Sequence, residues 1–190
     1  MAFVGTPWEL PAVVFIGLHD GGTNGAVAAI SEKDMMHGRE WDGVADLTGW
    51  RITEKLDGCR LYWDGAVAWT RTGRQIQLPA HWSMPTVALD CELWAGRGRY
   101  QVARNAINHG DWSDPQLCLR IFEAPTCSPD YCPEGFPHLA RVPDLGVVES
   151  KDALRVLLRG IQTNGGEGIM ARNPALNYHA GRTKLLLKVL

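Results

Sequence analysis

Short runs of alternating apolar and polar residues dominate the chain from Trp50 onward. Such runs predict β-strands, because successive side chains of a strand point to opposite faces of the sheet. Asp64-Gly65 lies between two of these runs and is typical of a hairpin turn. The alternating runs predict strands at 51–56 and 60–63, and the turn leads into a further strand at 66–70. The segments 86–94, 117–122, 168–171 and 185–190 are predicted to be buried strands.

One later segment has helical rather than strand periodicity. Its apolar residues are Leu154, Leu157, Leu158 and Ile161. Ser150 precedes them as a candidate N-cap, and a pair of glycines at 165–166 follows them as a stop. A weaker helix is predicted over residues 101–108. Strands joined mainly by hairpins favour an antiparallel α+β domain over a doubly wound parallel sheet.

Composition narrows the class of protein. The 190 residues are 45% hydrophobic and 21% charged, which is typical of one globular domain. The net charge of -2 means that any binding to nucleic acid must use a local basic patch. The apolar stretch 12–18 is too short to span a membrane, and no Lys or Arg precedes it, so we expect a cytoplasmic protein without a membrane partner. The five cysteines are expected to be reduced structural thiols.

The chain divides into two parts of different texture. Residues 1–48 are rich in glycine turns and contain an alanine run, and they are interpreted as an N-terminal extension of uncertain role. Within them, the segment 13–30 predicts a β-hairpin. Residues 49–190 carry the strand and helix patterns described above and are interpreted as the main domain.

The segment Glu54-Lys55-Leu56-Asp57-Gly58-Cys59-Arg60 contains the most informative chemistry. It places a lysine at the end of a predicted strand, beside an Asp-Gly turn and an arginine. A lysine amine is a nucleophile when neutral, and a guanidinium suits phosphate oxygens, so this arrangement suits attack on a phosphate. Taken alone, the same residues also fit a solvated surface hairpin.

Further motifs extend this pattern. K-x-D-G-x-R resembles the first motif of the covalent nucleotidyltransferases, which include ATP-dependent DNA ligases, RNA ligases and mRNA capping enzymes. Five other segments resemble later motifs of that superfamily in the same order: TRTGR at 70–74, LDCEL at 89–93, RIFE at 120–123, EGIMAR at 167–172, and the strand at 181–190. The phrases EKLDGCRLYWDG, ELWAGRGRY and EGIMAR are most similar to the small bacterial and phage ATP-dependent DNA ligases.

The resemblance implies both a fold and a function. The fold is α+β, with two antiparallel β-sheets flanked by helices and a nucleotide pocket between them, as in a ligase adenylation domain. The implied enzyme forms a lysyl-AMP intermediate with ATP and Mg²⁺. It then transfers AMP to the 5′-phosphate of nicked double-stranded DNA, for strand joining in DNA repair, replication or recombination. We expect a monomer.

The resemblance also assigns roles to individual residues. Lys55 would be the nucleophile and Lys188 would approach the α-phosphate, so both are predicted to be catalytic. Predicted nucleotide-binding residues are Glu54, Arg60, Arg71, Glu92, Phe122, Glu167, Met170 and Lys188. Glu92 and Glu167 would hold the Mg²⁺, while Phe122 and Met170 would press on the two faces of adenine. Arg97, Arg99 and Arg104 form a local basic cluster that is predicted to contact DNA, although a solvated face explains them equally well.

Three departures from the superfamily's pattern keep alternatives open. Cys91 stands where a glycine is usual, and Glu123 stands where aspartate is commoner. Leu190 occupies the second position of a terminal Lys-x-Lys pair, and no OB-fold follows it. The alternatives are an RNA ligase, a capping-type enzyme, or a degenerate nucleotide- or nick-binding module that no longer turns over.

Overall fold

The computed structural model describes residues 29–128 and 130–190, which form two β-sheets and two α-helices. The five-stranded sheet contains β1 (Met36–Glu40), β2 (Arg51–Lys55), β9 (Asp144–Val147), β10 (Gly168–Arg172) and β11 (Gly181–Val189). The six-stranded sheet contains β3 (Cys59–Trp63), β4 (Ala68–Thr70), β5 (Gln75–Ile76), β6 (Leu89–Trp94), β7 (Cys118–Glu123) and β8 (Leu139–Arg141). The helices are α1 (Tyr100–His109) and α2 (Lys151–Thr163), and a short 3-10 helix covers Glu32–Asp34.

The order of strands confirms the predicted α+β architecture with two sheets. The five-stranded sheet has the order β1-β11-β10-β2-β9, and the six-stranded sheet has the order β5-β4-β3-β6-β7-β8. Each sheet contains one parallel pair at or next to its edge, β1 with β11 and β7 with β8, while the other pairs are antiparallel. The long connection 124–138 allows the parallel pairing of β7 with β8, which a tight hairpin turn cannot produce.

Alternation along the strands separates a core face from a cavity face in each sheet. In the five-stranded sheet, Ile52, Ile169 and Leu187 belong to a buried core that also includes Leu154 and Ile161 of α2. In the six-stranded sheet, the buried core contains residues from four strands and from α1: Leu61, Leu89, Cys91, Leu93, Leu119, Ile121, Ala68, Ala103 and Ala106. The residues that alternate with these core positions are therefore free to line a space between the sheets.

Both predicted helices are confirmed. The hydroxyl oxygen of Ser150 accepts a hydrogen bond from the Ala153 backbone N–H at 3.1 Å, as expected of an N-cap. After α2, Gly165 has a φ of 77°, a left-handed conformation that suits glycine and ends the helix. Helix α1 ends in the same way at Gly110. None of the helices in the described part of the chain is long and apolar enough to cross a membrane.

The predicted strands are present, with shifts at their ends, and four short strands were not predicted. The run 66–70 contributes only its last three residues, as β4, while β1, β5, β8 and β9 had no prediction. Strand β1 comes from the segment before residue 49 and is hydrogen-bonded to β11, so this part of the segment adds to the five-stranded sheet. The domain boundary at 48/49 stays a prediction, and most of the hairpin predicted at 13–30 lies outside the described residues.

Candidate functional site

A cavity of about 660 Å³ is lined by residues of both sheets. Strands β2, β10 and β11 provide one wall and strands β3, β6 and β7 provide the other. The volume is that of a site for a small organic ligand. Its lining includes nine of the twelve residues predicted from the motifs: Lys55, Arg60, Arg71, Glu92, Arg104, Phe122, Glu167, Met170 and Lys188.

Lys55 is the last residue of β2 and faces the cavity. It pairs in register with Gly168, the first residue of β10, so Glu167 immediately before β10 lies beside the lysine. The Lys55 ammonium donates a hydrogen bond to the Glu167 carboxylate. The two side chains are 21% and 37% exposed, so the pair is accessible from the cavity. The arrangement places an amine and a carboxylate at one point, where the carboxylate can accept a proton from the amine.

The Asp-Gly turn after Lys55 brings the backbone close to β6. A Cβ atom at Gly58 would lie 2.3 Å from the Leu93 carbonyl oxygen and 2.8 Å from Cγ of Glu92, so no other residue fits there. The Gly58 N–H donates a hydrogen bond to the Glu92 carboxylate at 3.1 Å. The glycine of the first motif therefore joins the turn beside Lys55 to a carboxylate of the third segment.

Glu92 is a nearly buried carboxylate on the cavity face of β6. Its burial raises its pKa to about 8, against the opposing effect of the positive charges of Arg60 and Lys55. Asp90 lies two residues earlier on the same face, and Cys91 between them points into the core. The thiol of Cys91 donates a hydrogen bond to the Leu61 carbonyl oxygen, so the residue that replaces the usual glycine does not enter the site.

Arg60 is fixed by a fully buried partner. Its Nε and Nη2 atoms donate to the two carboxylate oxygens of Asp90 at 2.5 and 2.7 Å, and Nη2 also donates to the Met36 carbonyl oxygen. Tyr178 donates its hydroxyl hydrogen to Asp90 at 2.9 Å. Sequence reasoning gave no role to Asp90 or Tyr178. The i, i+2 spacing of Asp90 and Glu92 was an available signal for Asp90, whereas nothing in the sequence indicated Tyr178.

Two apolar side chains face the cavity from opposite sheets. Phe122 comes from β7 and Met170 from β10. The Arg60 guanidinium lies 4.9 Å from the centre of the Phe122 ring and so limits its movement. Lys188 lies next to Met170 in the register of β10 and β11. Met170, Lys55 and Lys188 therefore line the same wall of the cavity, which belongs to the five-stranded sheet.

An ion pair joins the two sheets on the cavity lining. Glu123, the last residue of β7, pairs with Arg172, the last residue of β10. Glu123 is buried, and Arg172 also donates to the Leu176 carbonyl oxygen at 2.8 Å. Both residues lie within segments that resemble superfamily motifs, but the sequence analysis predicted a function for neither. The pair connects the ends of the strands that carry Phe122 and Met170.

The predicted arginines are divided between the cavity and its surroundings. Arg71 lines the cavity, is 54% exposed and pairs with Glu32. Arg104 lines the cavity from α1. Arg99 instead pairs with Asp114.

Glu54 and Arg97 lie outside the cavity lining. The Nε and Nη2 atoms of Arg97 donate hydrogen bonds to the two carboxylate oxygens of Glu54, at 2.7 and 2.8 Å. Glu54 was predicted to bind the nucleotide and Arg97 to contact DNA, whereas in the structure the two side chains form an ion pair with each other. The roles predicted for these residues stay predictions.

Glu92 and Glu167, the two carboxylates predicted to hold Mg²⁺, both lie on the cavity lining. Residues 29–128 and 130–190 contain no cluster of three or more His, Cys, Asp and Glu side chains that would form a complete metal site. Mg²⁺ is commonly held by one or two carboxylates together with substrate phosphates and water, so Glu92 and Glu167 fit that cation when a phosphate ligand is present. A self-sufficient protein site for a metal is not formed by these residues.

Comparisons with known proteins agree with this geometry. The chain is 28% identical over 158 residues to a DNA ligase of Haemophilus influenzae, and the match covers 75% of the chain and 58% of that ligase. A solved Lig E DNA ligase, described as binding DNA with a minimal scaffold, has a TM-score of 0.68 and 25% identity, over 82% of this chain and 68% of that one. The Chlorella virus DNA ligase-adenylate has a TM-score of 0.61 and 17% identity, over 84% and 67%. No family model matches the chain.

The resemblance to DNA ligases that the motifs predicted is therefore confirmed, in sequence by the Haemophilus influenzae relative and in fold by the solved ligases. The chain has the fold of a DNA ligase adenylation domain. It spans somewhat more than half the length of the Haemophilus influenzae relative.

Proposed function

We propose that this chain is the adenylation domain of an ATP-dependent DNA ligase, in which ATP adenylylates Lys55 and AMP then passes to the 5′-phosphate of nicked double-stranded DNA. One observation carries this proposal. Lys55 lines the same cavity as Phe122 and Met170, which come from opposite sheets, and the volume of about 660 Å³ suits a small-molecule or cofactor site. The cavity therefore offers both a base-stacking slot and a nucleophile.

The nucleotide is proposed to bind with adenine between Phe122 and Met170. An aromatic ring and a thioether both pack well on a purine face. The phosphates then point toward Lys55 and Lys188, whose positive charges favour them. Arg60 is held over Phe122 by Asp90 and supports the stacking slot from the six-stranded sheet. Lys188 is proposed to stabilise the charge that develops on the α-phosphate.

In the first step, the neutral amine of Lys55 attacks the α-phosphorus of ATP. A nitrogen–phosphorus bond forms, and the bond from the α-phosphorus to the oxygen that bridges to the β-phosphorus breaks. Pyrophosphate leaves with that electron pair. The nitrogen loses a proton, and the Glu167 carboxylate that contacts it is placed to accept it.

Two transfers complete the proposed reaction. An oxygen of the 5′-phosphate at the nick attacks the adenylyl phosphorus, the nitrogen–phosphorus bond breaks, and Lys55 regains a proton. The 3′-hydroxyl then attacks the 5′ phosphorus, loses its proton and displaces AMP. Each step exchanges one bond to phosphorus for another, so no oxidant or reductant is required.

Glu92 and Glu167 are proposed to hold Mg²⁺ when ATP is bound. The cation supplies charge neutralisation at the phosphates. Glu92 has a pKa of about 8 without a metal, so it gives up a proton when it takes up the cation at neutral pH. Glu167 would contact the cation through one carboxylate oxygen, which leaves the other oxygen beside Lys55 to accept its proton.

Nicked DNA is proposed to bind over the open side of the cavity. The net charge of -2 requires local contacts, and Arg71 and Arg104 are two predicted arginines on the cavity lining that can supply them. We expect the protein to act as a monomer in the cytoplasm. The prediction that Arg99 contacts DNA requires it to leave Asp114.

The decisive experiment is incubation with ATP labelled at the α-phosphate in the presence of Mg²⁺, followed by denaturing electrophoresis. We expect acid-labile label on Lys55, because a phosphoramidate bond hydrolyses in acid. Label from GTP instead of ATP would indicate a capping-type enzyme, and no label from either would indicate a binding module without turnover.

A second stage tests the nucleic acid. The labelled protein is isolated and offered nicked duplex DNA, nicked RNA, or nicked DNA without the 5′-phosphate. We expect label to pass only to the nicked DNA that carries the phosphate. Preferential transfer to RNA would replace the proposed function with that of an RNA ligase.

A further inference from the structure

Glu54 faces away from the cavity, on the side of β2 that packs toward α2. Ile52 on the same face belongs to the core that includes Ile161. The Glu54 side chain is only 14% exposed and accepts two hydrogen bonds from Arg97. A carboxylate that is this buried requires such a partner, and the parallel hydrogen bonds of a guanidinium are a strong one.

Arg97 makes a third contact, with the turn after α2. Its Nη1 atom donates to the carbonyl oxygen of Asn164, the C-cap of that helix, at 3.3 Å. A Cβ atom at Gly166 would lie 2.9 Å from a carboxylate oxygen of Glu54 and 2.5 Å from Cγ2 of Ile161. The turn therefore packs directly against the Glu54–Arg97 pair, and only a glycine permits this approach.

The same turn carries Glu167. Residues 164–167 run from the end of α2 to the start of β10, and Glu167 contacts Lys55. Lys55 is in turn the neighbour of Glu54 on β2. The pair thus holds both backbones that present the two reacting side chains, from the side opposite to the cavity.

We propose that Arg97 is a positioning residue, which acts with Glu54 to hold the 164–167 turn so that Glu167 stays beside Lys55. This inference rests on the function proposed above. The glycines at 165 and 166 make the backbone of this turn intrinsically flexible, because glycine restricts backbone conformation least. Arg97 removes that freedom by joining the turn to β2.

The contacts of Arg97 also argue against a DNA-binding role. Its guanidinium has five N–H donors in a fixed fork, and Nε, Nη1 and Nη2 all point to protein acceptors. Three of the five donors are thereby engaged, so only the two remaining N–H groups could reach a DNA phosphate without breaking the pair with Glu54. Arg97 thus supports the chemistry of Lys55 from behind the sheet rather than gripping the substrate.

The test compares Arg97→Ala, Glu54→Gln and their double variant with wild type. The control is Arg155→Ala, which removes an exposed arginine on α2 that pairs only with Asp152. Single-turnover adenylylation is measured over a range of ATP concentrations. We expect the maximal rate to fall about 10-fold in both single variants, with the ATP concentration for half-maximal rate changed less than about 2-fold, since the nucleotide contacts remain.

The double variant and a conservative variant separate positioning from general damage. The double variant is expected to be no slower than either single variant, because the two residues act through one interaction. Arg97→Lys keeps one charge contact but loses the fork, so its rate is expected between those of Arg97→Ala and wild type. Hydrogen exchange at the amides of residues 164–168 should be faster in Arg97→Ala and unchanged in Arg155→Ala.

Binding of the adenylylated protein to nicked DNA tests the alternative that Arg97 contacts a DNA phosphate. We expect Arg97→Ala to bind with wild-type affinity and salt dependence. A loss of affinity with a salt slope reduced by about one, together with normal adenylylation, would show a phosphate contact and overturn the inference. Normal adenylylation in wild type and in all Arg97 and Glu54 variants would also overturn it while leaving the proposed function intact. If wild type formed no adduct with ATP, the proposed function itself would fail, and the role of Arg97 in that reaction with it.

Discussion

The two walls of the cavity hold their charged side chains in different ways. On the six-stranded sheet, Asp90 is fully buried and binds both Arg60 and Tyr178, and Glu92 is nearly buried and accepts from the backbone of Gly58. On the five-stranded sheet, Lys55 and Glu167 are partly exposed and contact each other. The charged groups of the first wall are buried, and Asp90 among them has several hydrogen bonds, whereas the second wall is held by one partly exposed contact.

This difference matches the demands of the proposed reaction. Groups that bind the unreacting parts of a nucleotide benefit from being fixed before binding, because less order is then lost when the ligand arrives. A nucleophile and its proton acceptor must instead exchange partners during each cycle. We therefore expect substitutions on the five-stranded wall to stop chemistry without unfolding the protein, and those on the six-stranded wall to affect stability and binding.

The largest expected effect is that of Lys55→Ala. Loss of the nucleophile should lower adduct formation by at least about 10⁴-fold, while a partly exposed residue at a strand end should change the free energy of unfolding by less than about 0.5 kcal/mol. Labelling with α-labelled ATP and thermal unfolding measure the two quantities. Lys184→Ala, which removes an exposed lysine on β11, is the matched control. Label that persists in Lys55→Ala would contradict the assignment of the nucleophile.

Asp90→Ala should show the opposite behaviour. It leaves the Arg60 guanidinium beside a cavity without its carboxylate partner, and breaking a buried pair in this way typically costs about 3 to 5 kcal/mol. Denaturant unfolding measures this loss. Asp152→Ala breaks an exposed pair on α2 and should cost less than about 1 kcal/mol. Equal losses in the two variants would show that the six-stranded wall is not fixed in the way described.

Phe122→Ala should weaken ATP binding by about 1 to 3 kcal/mol, the usual contribution of base stacking on an aromatic side chain. The maximal rate of adenylylation should change little once the site is saturated, because Phe122 does not touch the reacting atoms. Titration of ATP in single-turnover experiments separates the two effects. Phe136→Ala removes another phenylalanine, outside the cavity lining, and should leave the ATP titration as in wild type. A fall in maximal rate at unchanged ATP affinity would place adenine elsewhere.

The smallest expected effect concerns pH and magnesium. Burial raises the pKa of Glu92 to about 8, so below that pH the free carboxylate is mostly protonated and must release its proton to take a metal. The Mg²⁺ concentration for half-maximal adenylylation should therefore fall about 5-fold between pH 7 and pH 8 and at most about 2-fold above pH 8. Glu92→Gln should remove this dependence. An identical pH profile in both proteins would show that Glu92 does not hold the metal.

The same pKa predicts how stability depends on pH. The folded protein holds the Glu92 proton up to about pH 8, whereas the unfolded chain releases it near the ordinary value of 4.5. Because the folded state binds more protons in that interval, the contribution of Glu92 to the free energy of unfolding falls as pH rises from about 4.5 to 8. The ligand-free Glu92→Gln variant should lose this decline. Urea unfolding at a series of pH values measures the difference.

The sequence predicted the parts of the molecule that local pattern determines. Period-two alternation located β2 and β3, runs typical of buried strands located β6, β7 and β10, and helical spacing with the Ser150 cap located α2. The short strand β9 was not predicted, because all four of its residues are exposed and its sequence does not alternate. Strand β1 was not predicted, because it pairs with β11 at the far end of the chain and local sequence does not indicate that partner.

The motifs assigned Lys55, Glu92 and Phe122 to one site, and all three line the same cavity, while their individual roles stay predictions. The site was not predictable where chemistry depends on a distant partner. Glu54 sits beside the nucleophile in sequence, yet the alternation of β2 turns it to the other face, where Arg97 meets it. Tyr178 and Asp90 are 88 residues apart, and only the packed fold brings them together.

The cysteine at position 91 has a consequence for how this domain can vary. Asp90 and Glu92 face the cavity, whereas Cys91 is completely buried on the other side of the same strand. A change at position 91 is therefore constrained by the volume available among Leu61, Ile121 and their neighbours, and not by the ligand. The middle residue of such a motif packs in the interior, and its outer residues face the cavity. Departure from a family's usual residue at such a position is consequently no indication that activity has been lost.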